Sequence, residues 1–232
     1  MSLAVRDRQP ELMDDPSLDS GLHRQALAGL RRVSLISGTV RTFWKPIAEL
    51  AAKSGRPIRV LDVACGGGDT VIDLAQRAER AGLDIVAAGC DLSPTAVGIA
   101  AQSAAEKGAD VQFFTADALT ELPEGFDVIC CSLFLHHLAE DDVVCLLKTM
   151  KAAAGTMILA GDLIRSRLGY ALCSVGIRLL TRSRICHVDG PLSVRAAFTM
   201  KEIQSLAEAA GLETAEFTRH WPERYLMKWV RP

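Results

Sequence analysis

Val60-Leu61-Asp62-Val63-Ala64-Cys65-Gly66-Gly67-Gly68-Asp69 is the stretch that decides the fold. An apolar run over 58–64 ends in a glycine-rich turn, and a helical pattern follows to about Gly82. Glycine there lets the backbone turn sharply and lets a ligand approach the main chain. Working outward, apolar strands are expected over 85–90, 111–115, 126–134 and 156–160. Helices separate them, one opened by Ser93-Pro94 and one running over about 140–153. Ser is a favoured helix cap, and Pro at the first turn loses no hydrogen bond. Such alternation, with near-continuous apolar strands, means a parallel sheet covered on both faces. Thr199-Met200-Lys201-Glu202 is a capping-box pattern opening a helix to Gly211. Two strand-like segments, 213–220 and 224–230, follow; Trp221-Pro222-Glu223 joins them as a hairpin.

Spacing discriminates among cofactors. A dinucleotide turn reads G-x-G-x-x-G, and here Val71 stands where the third glycine belongs, so that fingerprint fails. Asp62 lies inside the first strand instead. Ala87-Ala88-Gly89-Cys90-Asp91-Leu92-Ser93 ends the second strand with a carboxylate, 23 residues after Gly68, able to accept from both hydroxyls of a ribose. Phe113-Phe114-Thr115-Ala116-Asp117-Ala118 ends the third strand with another, suited to an exocyclic amine. The fourth strand leads from Phe126 through Cys130-Cys131-Ser132 into Phe134-Leu135-His136-His137-Leu138, across the crevice outside the strand ends.

In order and at these intervals, the four motifs resemble the class I S-adenosylmethionine-dependent methyltransferases, over residues 56–162 and again in the terminal helix and hairpin. The resemblance implies a Rossmann-like, doubly wound α/β fold with a seven-stranded sheet, order 3-2-1-4-5-7-6 and strand 7 antiparallel. It implies S-adenosyl-L-methionine as cofactor and S-adenosyl-L-homocysteine as product. By it, Asp62 and the turn Ala64, Cys65, Gly66 and Gly68 hold the methionine end. Asp91, with Leu92, takes the ribose; Asp117 and Ala118 read the adenine; Ser132 lies near the methionine. The family usually has glycine at the position of Ala64, and alanine fits if φ there is negative. The texture is similar to that of small-molecule methyltransferases of quinone and polyketide biosynthesis, in which F-L-H-H-L after the fourth strand is common. The Asn/Asp-Pro-Pro-Tyr signature of amino-directed DNA methyltransferases is absent, with Ser132-Leu133-Phe134-Leu135 in its place.

Composition fits that reading. The 232 residues carry 26 basic and 28 acidic side chains, a net charge of −2, which argues against a nucleic-acid partner. Aromatics at 5% are too few for a base-stacking platform. No C-x-x-C pair occurs among seven cysteines, so no metal centre is expected, and free thiols in a reducing cytoplasm are. Asp14, Asp15 and Pro16 stand where a signal peptide would be apolar, and no run is long enough for a transmembrane segment. The charge is uneven: residues 163–198 hold six arginines and one acid, a net +5 against −7 for the remainder.

The expected organisation is a mobile N-terminal tail over 1–20, two helices over 21–53 broken near Ser37-Gly38, and a methyltransferase domain over 56–232. Residues 1–55 cover the substrate side, and a helical lid is inserted at 163–198. An oxygen acceptor needs its proton removed, for which histidine is the natural base near neutral pH. Of His23, His136, His137, His187 and His220, the catalytic candidates are His136 and His137, which leave the fourth strand at the crevice. Trp44, Asp162, Tyr170 and His187 are the substrate candidates, with Phe43, Leu172 and Phe198 beside them. The expected partner is a small molecule, anionic or carrier-bound. The competing readings are a cofactor-binding interaction module without catalysis and a nicotinamide-dependent oxidoreductase.

Overall fold

The computed structural model describes residues 3–14, 19, 21–22, 25–26, 29, 32–33 and 38–232. Seven strands form one sheet: β1 Ile58–Val63, β2 Ile85–Asp91, β3 Val111–Thr115, β4 Phe126–Ser132, β5 Ala154–Leu163, β6 Glu216–His220 and β7 Arg224–Val230. Their order is β3-β2-β1-β4-β5-β7-β6. β1 to β5 pair in parallel, and β7 runs antiparallel to both β5 and β6. This is the expected order, including the reversed strand 7.

Period-two alternation splits the core between the two sheet faces. Ile129 and Cys131 of β4 pack with helix α4 (Glu140–Ala153) and helix α7 (Met200–Ala209). Val128 and Cys130 pack on the other face with Phe43 and Ile47 of helix α1 (Thr39–Ser54) and Leu74 of helix α2 (Asp69–Ala81). Helix α3 (Pro94–Glu106) opens on Ser93, whose Oγ accepts from Ala96 N. The capping box at Thr199 and Glu202 forms as expected. Gly38, at φ 67°, caps α1; most of the helix expected before it, with the chain at the expected break, lies outside the described residues.

Two sequence expectations need correction. Residues 3–14 are no loose tail. The Arg6 guanidinium donates to the carbonyls of Ala196, His136 and Leu138 and lies 3.8 Å over the Phe198 ring. Asp7 pairs with Arg195, and Asp189 accepts from Leu12 N and Met13 N at the short 3-10 turn Leu12–Asp14. The insertion holds two helices, α5 (Arg167–Leu180) and α6 (Arg184–Ala196). Its His187-to-Pro191 run is helical, with Ser183 capping α6 and Asp189 turned inward to hold residues 12 and 13. Finally, β5 runs past 160 to Leu163, since buried Asp162 is engaged in pairing and carries the strand onward.

Candidate active site

The turn after β1 uses backbone conformations that few residues adopt. Ala64, Gly66 and Gly68 have φ of 53°, 52° and 75°. Glycine takes these angles freely, whereas alanine in the left-handed region costs roughly 1–2 kcal/mol. The condition on which alanine would fit there, a negative φ, is therefore not met. The next amide, Cys65 N, donates to the Cys90 carbonyl at 3.0 Å, so the chain turns while still tied to β2. A Cβ on Gly68 would stand 2.9 Å from the Phe113 ring and 3.0 Å from Ala100, whereas one on Gly66 would meet nothing within 4 Å. The turn is packed beneath and open above.

Asp91 fastens this turn from the side. Its Oδ2 accepts from Gly66 N and its Oδ1 from Ser93 N, both at 2.9 Å. Each oxygen keeps a lone pair for a further donor. Leu92 beside it is 68% exposed. Asp117 Oδ1 accepts from Leu119 N at 3.0 Å, which orients the carboxylate, and Ala118 packs half-buried against the core. Ser132 Oγ lies 3.1 Å from Thr70 Oγ1, joining β4 to the first turn of α2. Asp62 is buried beneath them; its Oδ1 accepts from the Cys130 thiol at 3.8 Å and its Oδ2 has no partner. Burial, with the nearby charge of Asp91, pushes its carboxyl up to about 7. All of these residues stand at the carboxyl ends of β1 to β4, where open α/β sheets bind ligands.

His136 and Asp162 also come together. Nδ1 of His136 lies 2.7 Å from Asp162 Oδ1, and His136 N donates to Asp162 Oδ2 at 2.9 Å. Both side chains are buried. Burial disfavours charge on each, but mutual attraction prevails: the imidazole is raised and the carboxyl lowered from their ordinary values. His137 stacks on His136 with ring centroids 4.2 Å apart. Burial and the neighbouring imidazole push it down to about 4, so it is neutral at physiological pH. Residues 3–14 cover the pair: Glu11 Oε1 lies 4.0 Å from His136 Nε2, and Arg8 donates to the His137 carbonyl. Glu11, His136 and His137 offer donor atoms within 4.8 Å of one another, a cation-sized grouping that no sequence spacing signals.

The remaining candidates make contacts of their own. His187 Nε2 bonds to the Thr181 carbonyl at 2.8 Å, tying α6 back to the α5–α6 connection. His220 sits on β6 against Thr218 Oγ1, and His23 lies outside the described residues. Trp44 packs half-buried into the α1 core, and fully buried Phe43 lies against Gly161. Tyr170 is half-buried in the first turn of α5. All seven cysteines are free, and burial raises the thiols around the turn, Cys90 to about 12.

Residues 60–154 match the family described as "Methyltransferase domain". The chain is 29% identical over 127 residues to a ubiquinone biosynthesis O-methyltransferase of Brucella anthropi, covering 54% of this chain and 49% of that one. It is 27% identical over 184 residues to the protein of the same name from Pseudomonas entomophila, covering 76% and 72%. The chain thus spans about half the length of the first relative. Magnesium protoporphyrin IX methyltransferase from Synechocystis PCC 6803, solved with bound SAH, superposes with a TM-score of 0.60 at 19% identity, covering 95% and 91%.

Residues 60–154 thus form a methyltransferase domain, and the sheet has the strand order of the class I S-adenosylmethionine-dependent methyltransferases. The cofactor of such domains is S-adenosylmethionine, and the residues of this chain fit it. A buried carboxylate oxygen without a partner, a turn open above Gly66 and a strand-end carboxylate with lone pairs to spare suit an ammonium group and a ribose diol. Sequence reading missed Thr70, whose only signal was its place on the first turn of α2. It also missed Arg6 and Glu11, which reach the site from a segment without periodicity.

Proposed function

We propose that this methyltransferase moves a methyl group from S-adenosylmethionine to an oxygen of a small, mostly apolar acceptor of the phenol, quinol or polyketide type. The observation that carries the proposal is the turn over Asp62: three residues at positive φ, fastened to Asp91 and open above. Asp62 and the turn Ala64–Gly68 would hold the methionine end, with Ser132 and Thr70 beside it. Asp91 and Leu92 would take the ribose, and Asp117 and Ala118 the adenine. The cofactor supplies a methyl group on a positively charged sulfur. The chain must align the acceptor oxygen with it in line and keep water out.

In this reading His137, neutral and half-buried, meets the acceptor hydroxyl, while His136 and Asp162 act as positioning residues. Residues 3–14 and 163–198, with Tyr170 on α5, wall the acceptor side. The acceptor, or what carries it, is anionic, because the insertion holds six arginines against one acid. The free cysteines accord with a cytoplasmic setting. Among the described residues no helix is long and apolar enough to cross a membrane.

The test is incubation with methyl-labelled S-adenosylmethionine and a panel of phenols, quinols and polyketide-like compounds. Label on a hydroxyl oxygen, reduced in His137→Asn, is the expected result. Label appearing only on nitrogen or carbon would overturn the oxygen assignment.

A further inference from the structure

The insertion presents an apolar face to solvent. Leu168, Val175 and Leu179 of α5 are 51%, 62% and 80% exposed, although each is a residue that cores normally take up. Their spacing of seven and four places them within about 40° of one another at ~100° per residue, in a single stripe along the helix. Trp221, in the β6–β7 turn, is 71% exposed, and it helps line one cavity together with α5. Arg167, Arg178, Arg182 and Arg184 are exposed in and just beyond the same helix, and none pairs with a described carboxylate. The only acid of the insertion, Asp189, is buried on α6, facing residues 12 and 13.

We propose that α5 and Trp221 form a docking face for an anionic lipid bilayer. An apolar stripe flanked by exposed arginines, with an indole at its edge, is the pattern of a helix lying in a membrane interface. The helix has 14 residues and cannot span. An acidic protein partner would answer the arginines but would leave three large aliphatic side chains facing water. The adjoining face of α5, through Leu172, Gly176 and Leu180, walls a cavity of about 220 Å³ closed by Trp221, Pro222 and Arg224. A docked chain therefore offers an apolar cavity beside the bilayer. That last step rests on the proposed transfer to an apolar acceptor; the docking itself does not.

The experiment is co-sedimentation of the intact chain with vesicles of phosphatidylglycerol and phosphatidylcholine against vesicles of phosphatidylcholine alone. Binding should favour the anionic vesicles and weaken as salt rises. The double variant Val175→Glu, Leu179→Glu should lose on the order of tenfold or more in partition, from reduced apolar burial and added charge. Arg178→Glu with Arg182→Glu should abolish the preference for anionic lipid. An unchanged thermal shift with S-adenosylhomocysteine verifies that each variant is folded. Equal binding to both vesicle types, or full binding by the variants, overturns the proposal. So does absence of vesicle binding with variant-sensitive retention on an acidic acyl carrier protein. No methyl acceptor enters the assay, so its failure is distinct from failure of methyl transfer.

Discussion

Replacing Asp62 by asparagine should make the ligand-free chain more stable while weakening its hold on the cofactor. The carboxyl is buried, Oδ2 lacks a partner, and burial lifts its pKa from 3.8 to about 7. A rise of about three units is worth about 4 kcal/mol of stability forfeited once the group ionises. The native state holds the proton more tightly than the unfolded chain, so this cost grows as pH rises from near 4 and is complete above 7. The uncharged asparagine carries no such cost, although its amide, left without an acceptor, takes back about 1–3 kcal/mol. The net expectation at pH 8 is a gain of about 1–3 kcal/mol, or several degrees in Tm for a chain of this length. The stability gap between variant and wild type should widen by about 2–3 kcal/mol from pH 5 to pH 8. Thermal unfolding across that range, paired with titration of S-adenosylhomocysteine, is the assay. Without the charge-assisted bond to the ligand ammonium, binding should weaken by roughly ten- to a hundredfold. A variant no more stable at pH 8 than at pH 5 relative to wild type would refute the burial argument. One that bound the ligand normally would refute the role assigned to Asp62.

Ala64→Gly should raise stability by about 0.5–1 kcal/mol in urea unfolding, because relief of the left-handed φ outweighs the added chain entropy. Gly68→Ala should cost about 2–4 kcal/mol, since its Cβ meets the Phe113 ring at 2.9 Å in a positive-φ position. It should also weaken S-adenosylhomocysteine binding measured by calorimetry. Asp162→Asn leaves the buried His136 imidazolium without its counter-charge and should cost about 3–5 kcal/mol. The depressed Asp162 carboxyl stabilises above its unfolded value and loses this as pH falls through its folded one. The raised His136 stabilises below its unfolded value and loses this as pH rises through its folded one. The deficit should therefore be greatest between about pH 4 and pH 6.5, and unfolding at pH 5.5 and pH 8 measures it.

The sheet was legible because its central strands are buried on both faces and read as apolar runs bounded by glycine, proline or a capping serine. The Asp62, Gly66, Gly68 and Asp91 positions stood out because strand ends and turns have local signatures. Their bonds to each other did not: nothing in the order of residues shows that Asp91 holds Gly66 N as well as a ribose could be held. The left-handed Ala64 was invisible because φ at a single alanine leaves no pattern. The second insertion helix was hidden by Asp189-Gly190-Pro191, breakers by propensity that tertiary packing overrules. Arg6 and Glu11 were beyond reach for another reason. They act on residues more than a hundred positions away, and their own segment has neither apolar period nor turn signal.

The crevice above Asp62 and Asp91 is proposed as the S-adenosylmethionine site. Calorimetric titration of S-adenosylhomocysteine into the intact chain tests it most directly, with Asp91→Asn and NAD as comparisons. The asparagine keeps one acceptor oxygen for the turn and removes the charge. One site per chain, displacement by S-adenosylmethionine, binding weakened at least tenfold in the variant, and no heat with NAD are expected. Saturable binding of NAD without binding of S-adenosylhomocysteine would contradict it.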